Sequence, residues 1–197
     1  MKHRYNISMS IFALFFLIVF QGCTGKSAPP RFYLIDTGVA QNTTLNFRIK
    51  DGFSTVGIGP LIMPSYLDRP QIVTQTSPHR LELMEFDKWA EPLDETFTRL
   101  VIHNLSLRLY GDKLAVFDLK SISNADYQVR INVERFDKTI DNQAVLSVRW
   151  SVIKKGDGLQ STWLSSYSSV CGADGFETFA AAQNTNIDRL CADMSKA

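Results

Sequence analysis

The sequence predicts an α+β fold: a single domain with a mainly antiparallel sheet, packed on one face by two helices. Three observations predict it. Runs of period-two alternation recur along the chain, as in Tyr127, Val129, Ile131 and Val133 against Gln128, Arg130, Asn132 and Glu134. Only two stretches, Pro92–Leu109 and Gly175–Ser195, carry apolar residues at helical spacing. Between the runs lie short turn signals rather than linkers, so nothing divides the chain into two domains.

The N-terminus reads as a delivery segment. Lys2, His3 and Arg4 precede the apolar run Ile11–Phe20, which ends at Gln21-Gly22-Cys23. The run falls short of the roughly 20 apolar residues a spanning helix needs and has the form of a signal peptide over residues 1–22. A cysteine directly after a small residue is the pattern of a bacterial lipobox, with Cys23 as the acylated N-terminus. Phe20 and Gln21 depart from the usual residues of that motif. Residues 23–30 then form a Ser/Pro/Gly-containing tether, and its seven residues after the cysteine reach at most about 25 Å. Removing residues 1–22 takes away Lys2 and Arg4 and no acidic residue, so the net charge of +1 becomes −1. No Lys/Arg run remains to bind nucleic acid or to hold an anionic leaflet by charge alone.

The domain proper occupies residues 31–197. Arg31–Asp36 reads as a first strand, and Leu45, Phe47 and Ile49 as a short second one. Thr55–Met63 is a β-branched strand interrupted by Gly57 and Gly59. A phosphate-cradling loop would need a third glycine and a helix directly after it. Neither is present, so the glycines read as close packing or a bulge. Gln71–Thr76 and Leu81–Phe86 form a hairpin around Ser77-Pro78-His79-Arg80. Pro92 suits the first helical position, with Asp94 and Glu95 in the first turn, Arg108 in the last and Gly111 as the stop. Leu93, Phe97, Leu100, Val101 and Leu105 make the inward face. Lys113–Phe117 is a strand. A three-strand meander follows, with a slip of phase at Arg135-Phe136 and turns at Asp141-Asn142 and Lys155–Gly158. The closing helix buries Phe176, Phe179, Ala180, Ile187, Leu190 and Met194.

YLDRPQIV at Tyr66–Val73, RLEL at Arg80–Leu83, and FDKWAEPLDE at Phe86–Glu95 resemble the auxiliary lipoproteins of ABC-type transport systems, in particular the PqiC group. Gly57-Ile58-Gly59-Pro60 fits the same pattern. The resemblance implies a non-enzymatic lipoprotein without a cofactor, anchored by its acyl chains to the periplasmic face of the outer membrane. It implies an MCE-domain partner of the PqiB type, whose tube conducts lipid, and a ring-shaped homo-oligomer. Two other readings stand beside it: an envelope lipoprotein serving another assembly such as a cell-wall synthase, and a periplasmic hydrolase.

Candidate contact residues follow. Tyr66 and Leu67, between Pro64 and Pro70, read either as an exposed stiff loop or as one folded back over the sheet, with Asp68 and Arg69 beside them. Trp89 reads as a core anchor or as a partner-facing aromatic. Glu82, Glu85, Asp87, Glu91, Asp94 and Glu95 could supply a carboxylate pair for hydrolysis, but read more plainly as an exposed strand face and a helix N-terminus. His79 and His103 stand in no metal-binding motif. With Cys23 acylated, Cys171 and Cys191 remain in an oxidising compartment and are expected to pair. A helix from Gly175 would hold the two about 24 Å apart, so either the last helix is broken or starts late, near Asn184–Asn186, or both thiols stay free.

Overall fold

The structure is a computed structural model and describes residues 28–36, 52–173 and 175–197. The signal peptide, Cys23 and the short strand expected at Leu45–Ile49 lie outside the described residues. An eight-stranded sheet carries both helices of the described chain. Its strands are β1 (Arg31–Tyr33), β2 (Ser54–Ile62), β3 (Gln71–Ser77), β4 (Arg80–Trp89), β5 (Leu114–Asp118), β6 (Tyr127–Lys138), β7 (Gln143–Lys154) and β8 (Gly158–Val170). The helices are α1 (Leu93–Leu109) and α2 (Glu177–Met194).

The expected sheet was mainly antiparallel; the observed sheet is mixed. The β3–β4 hairpin and the β6–β7–β8 meander are antiparallel. β2, however, lies between β5 and β6 and runs parallel to both, and β1 runs parallel to β4. Parallel neighbours need a long crossover, which the stretch from β3 through α1 supplies between β2 and β5. Long β6 is the axis. Its first half pairs with β2, its end meets β3 at Lys138, and β7 follows it throughout. The phase slip expected at Arg135-Phe136 is present as a register shift between Val133 and Arg135.

α1 packs on β2 and β5 and α2 on β7 and β8, so both helices cover one face. α1 begins after Pro92, as expected, but its stop is not Gly111. A single turn of 3₁₀ helix, Tyr110–Asp112, follows, and Lys113 takes the left-handed conformation at φ 57°. The rings of Trp89, Phe97, Phe136 and Phe179 meet between sheet and helices at centroid distances of 5.9–6.2 Å around Trp89 and Phe97, with Phe136 also 6.3 Å from Phe179. Such tilted and edge-on pairs are the preferred aromatic arrangement.

α2 is unbroken from Glu177, close to the Gly175–Ser195 span read from the sequence, and so lacks the break or late start that a disulfide would require. Asn186 sits in its interior because its side chain is used there: Nδ2 donates 2.9 Å to the carbonyl of Ala144 on β7, and Oδ1 accepts from Ser169 Oγ at 2.7 Å. Gln183 Nε2 donates 3.0 Å to the carbonyl of Val145. Both amides are buried and satisfied, so they orient the helix on the sheet without an unpaired polar group.

The expected Cys171–Cys191 bridge is not formed; both thiols are free and buried. An intact helix explains this, since Cys191 lies in the last turns of α2 while Cys171 precedes its start, and about 14 residues at 1.5 Å each separate Cys191 from Glu177. Alkylation of denatured, unreduced protein should therefore modify both Cys171 and Cys191; mass spectrometry finding neither modified would restore the bridge.

Burial pushes the Cys191 thiol up to about 12. In the unfolded chain a thiol ionises at about 8.5. Folded protein then retains a proton that unfolded protein releases, so this group's contribution to stability is complete below about pH 8.5 and declines as pH rises toward the folded value. Urea midpoints should fall between about pH 8 and 10, and the fall should be shallower in Cys191→Ala. Equal slopes in the two proteins would contradict this assignment.

Candidate functional site

Among the described residues, a cleft of about 890 Å³ lies between the first half of α1, the end of β2 and the turn that follows β5. It exists because of the two glycines of β2. A Cβ on Gly57 would stand 2.6 Å from Leu119 Cδ1 and 3.1 Å from Ala125 Cβ, so the glycine lets the Leu119–Ser121 turn lie against the strand. Gly59 adopts φ +136°, and the pairing of β2 with β6 shifts between Ile58 and Leu61. The bulge turns Pro60 and Leu61 into the cleft floor. Both features were legible as packing and bulging rather than as a phosphate loop.

The floor is apolar, with Ile58, Pro60, Leu61, Ile102 and Leu119. The rim is charged, but much of it is already committed. Glu91 accepts from Arg99 Nη2 at 2.6 Å and from Thr96 Oγ1 at 3.1 Å. Asp118 Oδ1 accepts the Lys120 N–H at 2.8 Å and caps its own turn. Thr98, the one hydroxyl lining the cleft, donates 2.8 Å to the carbonyl of Asp94 one turn back. A nucleophile activated by a base is therefore not assembled at Thr98. Asp94, Glu95 and Lys120 remain to meet a ligand. His103 also lines the cleft, and its buried Nε2 has no hydrogen-bond partner among the described residues. Among the described residues, no group of three or more His, Cys, Asp and Glu could hold a metal ion.

The other acidic residues of the expected set are dispersed. Glu82 and Glu85 stand exposed on β4. Asp87 is buried and fully engaged: Arg31 Nε and Nη2 donate to its two oxygens at 2.8 and 2.9 Å, and Tyr33 Oη donates at 2.8 Å. It fastens β1 to β4 and is unavailable for hydrolysis. His79 lies exposed in the β3–β4 turn, away from His103 on α1.

The expected contact residues separate into two groups. Trp89 is 6 % exposed within the aromatic cluster, so its partner-facing reading is corrected to a core role. Leu67 is 3 % exposed, which removes it as a contact residue. The reason is topological. β2 leaves β6 after Ile62 and β3 reaches it only at Lys138, and the 3₁₀ turn Ser65–Leu67 covers the stretch between them. Tyr66 is half-buried there, with Oη 3.5 Å from the Glu134 carbonyl at the β6 bulge. Asp68 and Arg69 alone of this loop group are exposed.

Comparison with known proteins agrees with this fold. The family model of the ABC-type transport auxiliary lipoprotein component matches residues 33–195. The intermembrane transport lipoprotein PqiC of Escherichia coli strain K12 is 24 % identical over 135 residues, covering 68 % of this chain and 69 % of that protein. PqiC of Shigella flexneri gives the same figures. Among solved structures, an uncharacterised protein superposes with a TM-score of 0.68 at 18 % identity, over 85 % of this chain and 97 % of its own. A protein of Xanthomonas campestris superposes with a TM-score of 0.62 at 16 % identity, over 77 % and 89 %.

Proposed function

The chain belongs to the ABC-type transport auxiliary lipoprotein family, and from that premise we propose that it is a non-enzymatic subunit of an MCE-type intermembrane lipid transport system. It is anchored through Cys23 to the periplasmic face of the outer membrane and docks the end of a PqiB-type tube. The observation that carries this reading is the family match across residues 33–195, joined to the Gly22-Cys23 sequence at the end of a short apolar run. The cleft beside α1, with an apolar floor and uncommitted charges, supports binding over catalysis.

The proposal includes a ring of identical subunits. Its contacts are moved from the Tyr66-Leu67 loop to the open edges of the sheet. β8 forms one edge and pairs only with β7; β5 and β1 stand on the opposite flank. Two different edges meeting head to tail give a heterologous contact, which closes into a ring when the rotation allows. Light scattering should find an oligomer of the protein, alone or with its MCE partner; a monomer under both conditions would remove the ring.

Affinity purification from solubilised envelope tests the assignment, with co-elution of a protein bearing MCE repeats as the expected result. Co-elution of a cell-wall synthase in its place would transfer the protein to another assembly. Cys23→Ala should abolish palmitate labelling and release the protein from the membrane fraction. Persistent labelling would place the lipid elsewhere.

A further inference from the structure

We propose that Leu164 of one copy packs against Ile62 of the next copy in the ring, so that a single rung of the sheet closes on itself around it. This rests on the ring proposed above and goes beyond it by naming the residues that meet and the height on the sheet at which they do.

Strand register carries the pairing. Ile62 on β2 lies opposite Asn132 on β6, Asn132 opposite Arg149 on β7, and Arg149 opposite Leu164 on β8. The four residues form one rung from flank to flank, and directly opposed residues of paired strands point to the same face. It is the face away from the helices, since the sequence neighbours Ile131, Val133, Val148 and Trp150 point into the core. The rung is polar in the middle and apolar at both ends. Leu164 is 68 % and Ile62 56 % exposed. β5 pairs with β2 only as far as Ile58, so among the described residues Ile62 stands at the free flank of the sheet.

Apolar side chains scattered singly on a surface need no explanation. Two at opposite ends of one rung, on one face, fit a second copy of the same chain, since each copy supplies one half of an apolar pair to each neighbour. β8 adds an independent reason. Natural edge strands are guarded by charge, proline or shortness. From Ser161 to Val170 β8 carries no charged residue and no proline, and it pairs only with β7. An edge left unguarded over this length is one that the assembly covers. Arg149, beside Leu164, already donates to Glu134 at 3.0 Å, so covering Leu164 strands no unpaired cation.

Ring closure selects this rung. A closed ring has no rise from copy to copy, so residues that meet across its interface lie at one height along its axis. Sheet twist turns successive strands about a line through their middles, so rungs near the strand ends are carried apart while the middle rung stays level. Asn132 is the sixth of the 12 residues of β6, Arg149 the seventh of the 12 of β7, and Leu164 the seventh of the 13 of β8. Theirs is the middle rung. With the strands set along the ring axis, Leu164 and Ile62 of neighbouring copies meet at the same height.

The full-length protein in its membrane tests this. Ile62→Cys and Leu164→Cys are made alone and together and treated with a short bismaleimide. The native Cys171 and Cys191 are buried, acylated Cys23 offers no thiol, and the unsubstituted protein gives the background. The double variant should give a ladder of covalent dimers, trimers and larger species. The two single variants co-expressed should give dimers and nothing larger, and each alone only background. Leu164→Asp should weaken self-association at least about tenfold by light scattering, while its exposed position leaves the urea midpoint in place. A solubilised oligomer whose double variant gives no ladder, or whose association Leu164→Asp leaves unchanged, overturns the contact and leaves the ring standing. Dimers from Leu164→Cys alone would mean that two β8 edges meet each other, which overturns the head-to-tail pairing. A protein that stays monomeric, alone and with its MCE partner, removes the ring, and the inference falls with its premise.

Discussion

Phe136→Ala is expected to lower folding stability by about 3–5 kcal/mol, the usual cost of emptying an aromatic position in a packed core. Phe136 is 1 % exposed. Its ring meets Trp89 on β4 at 6.1 Å, Phe97 on α1 at 6.2 Å and Phe179 on α2 at 6.3 Å. It joins the central strand to the β3–β4 hairpin and to both helices, so no single neighbour can move into the space it leaves. A loss of this size is a large share of a typical domain's stability. Urea denaturation of the two proteins measures it. Phe136→Leu, which keeps most of the volume, should retain well over half of the lost stability. A Phe136→Ala loss below about 1 kcal/mol would mean that the aromatic cluster is not a packing centre.

The position of Phe136 also shows what could be read from the sequence. The meander is governed by local alternation and turn residues, so β6, β7 and β8 and the slip after Val133 were legible. The two helices were legible for the same reason, since Leu93, Phe97, Leu100, Val101 and Leu105 recur at helical spacing whatever lies against them. Strand order was not. Whether β2 pairs with its successor or with β5 and β6 depends on contacts far apart in sequence, and the alternation of β2 is the same in either case. The meaning of the glycines was legible because a phosphate loop has requirements that Gly57 and Gly59 fail to meet. Asn184-Thr185-Asn186 misled because these residue types favour caps. In the folded chain, the Asn186 amide binds the Ala144 carbonyl and the Ser169 hydroxyl, and that tertiary contact outweighs the propensity.

The candidate site was legible only in part. The acidic residues at the start of α1 stood out as Asp94 and Glu95, and both line the cleft. Ile102, His103 and the Asp118–Lys120 turn are brought there by the fold, and no local signal marks them.

Leu67→Asp is expected to unfold the domain or leave it several kcal/mol less stable, rather than to detach a partner from a folded subunit. The side chain is buried within the main core, in the 3₁₀ turn that covers the stretch of β6 between its partners β2 and β3. An ionised carboxylate there has lost water and gained no opposite charge, and the aspartate must either take up a proton or expel the turn. The ion pair whose charges act on neighbouring Tyr66, Arg135 with Asp137, is already closed at 2.7 Å, and Arg135 also donates to Gln75 at 2.6 Å, so it offers no ready counter-ion. Expelling the turn would bare the middle of β6 and part its two sets of neighbours. The exposed residues of the same loop separate the two meanings of this segment. Asp68→Ala with Arg69→Ala should change the stability measured by urea denaturation by less than about 0.5 kcal/mol, as surface changes do. If that double variant also co-purifies less MCE partner, the loop contacts the partner through Asp68 and Arg69 while Leu67 holds it in place. Should Leu67→Asp instead keep the native urea midpoint, the leucine would have to lie outside the core, and the placement of this turn against β6 would be wrong.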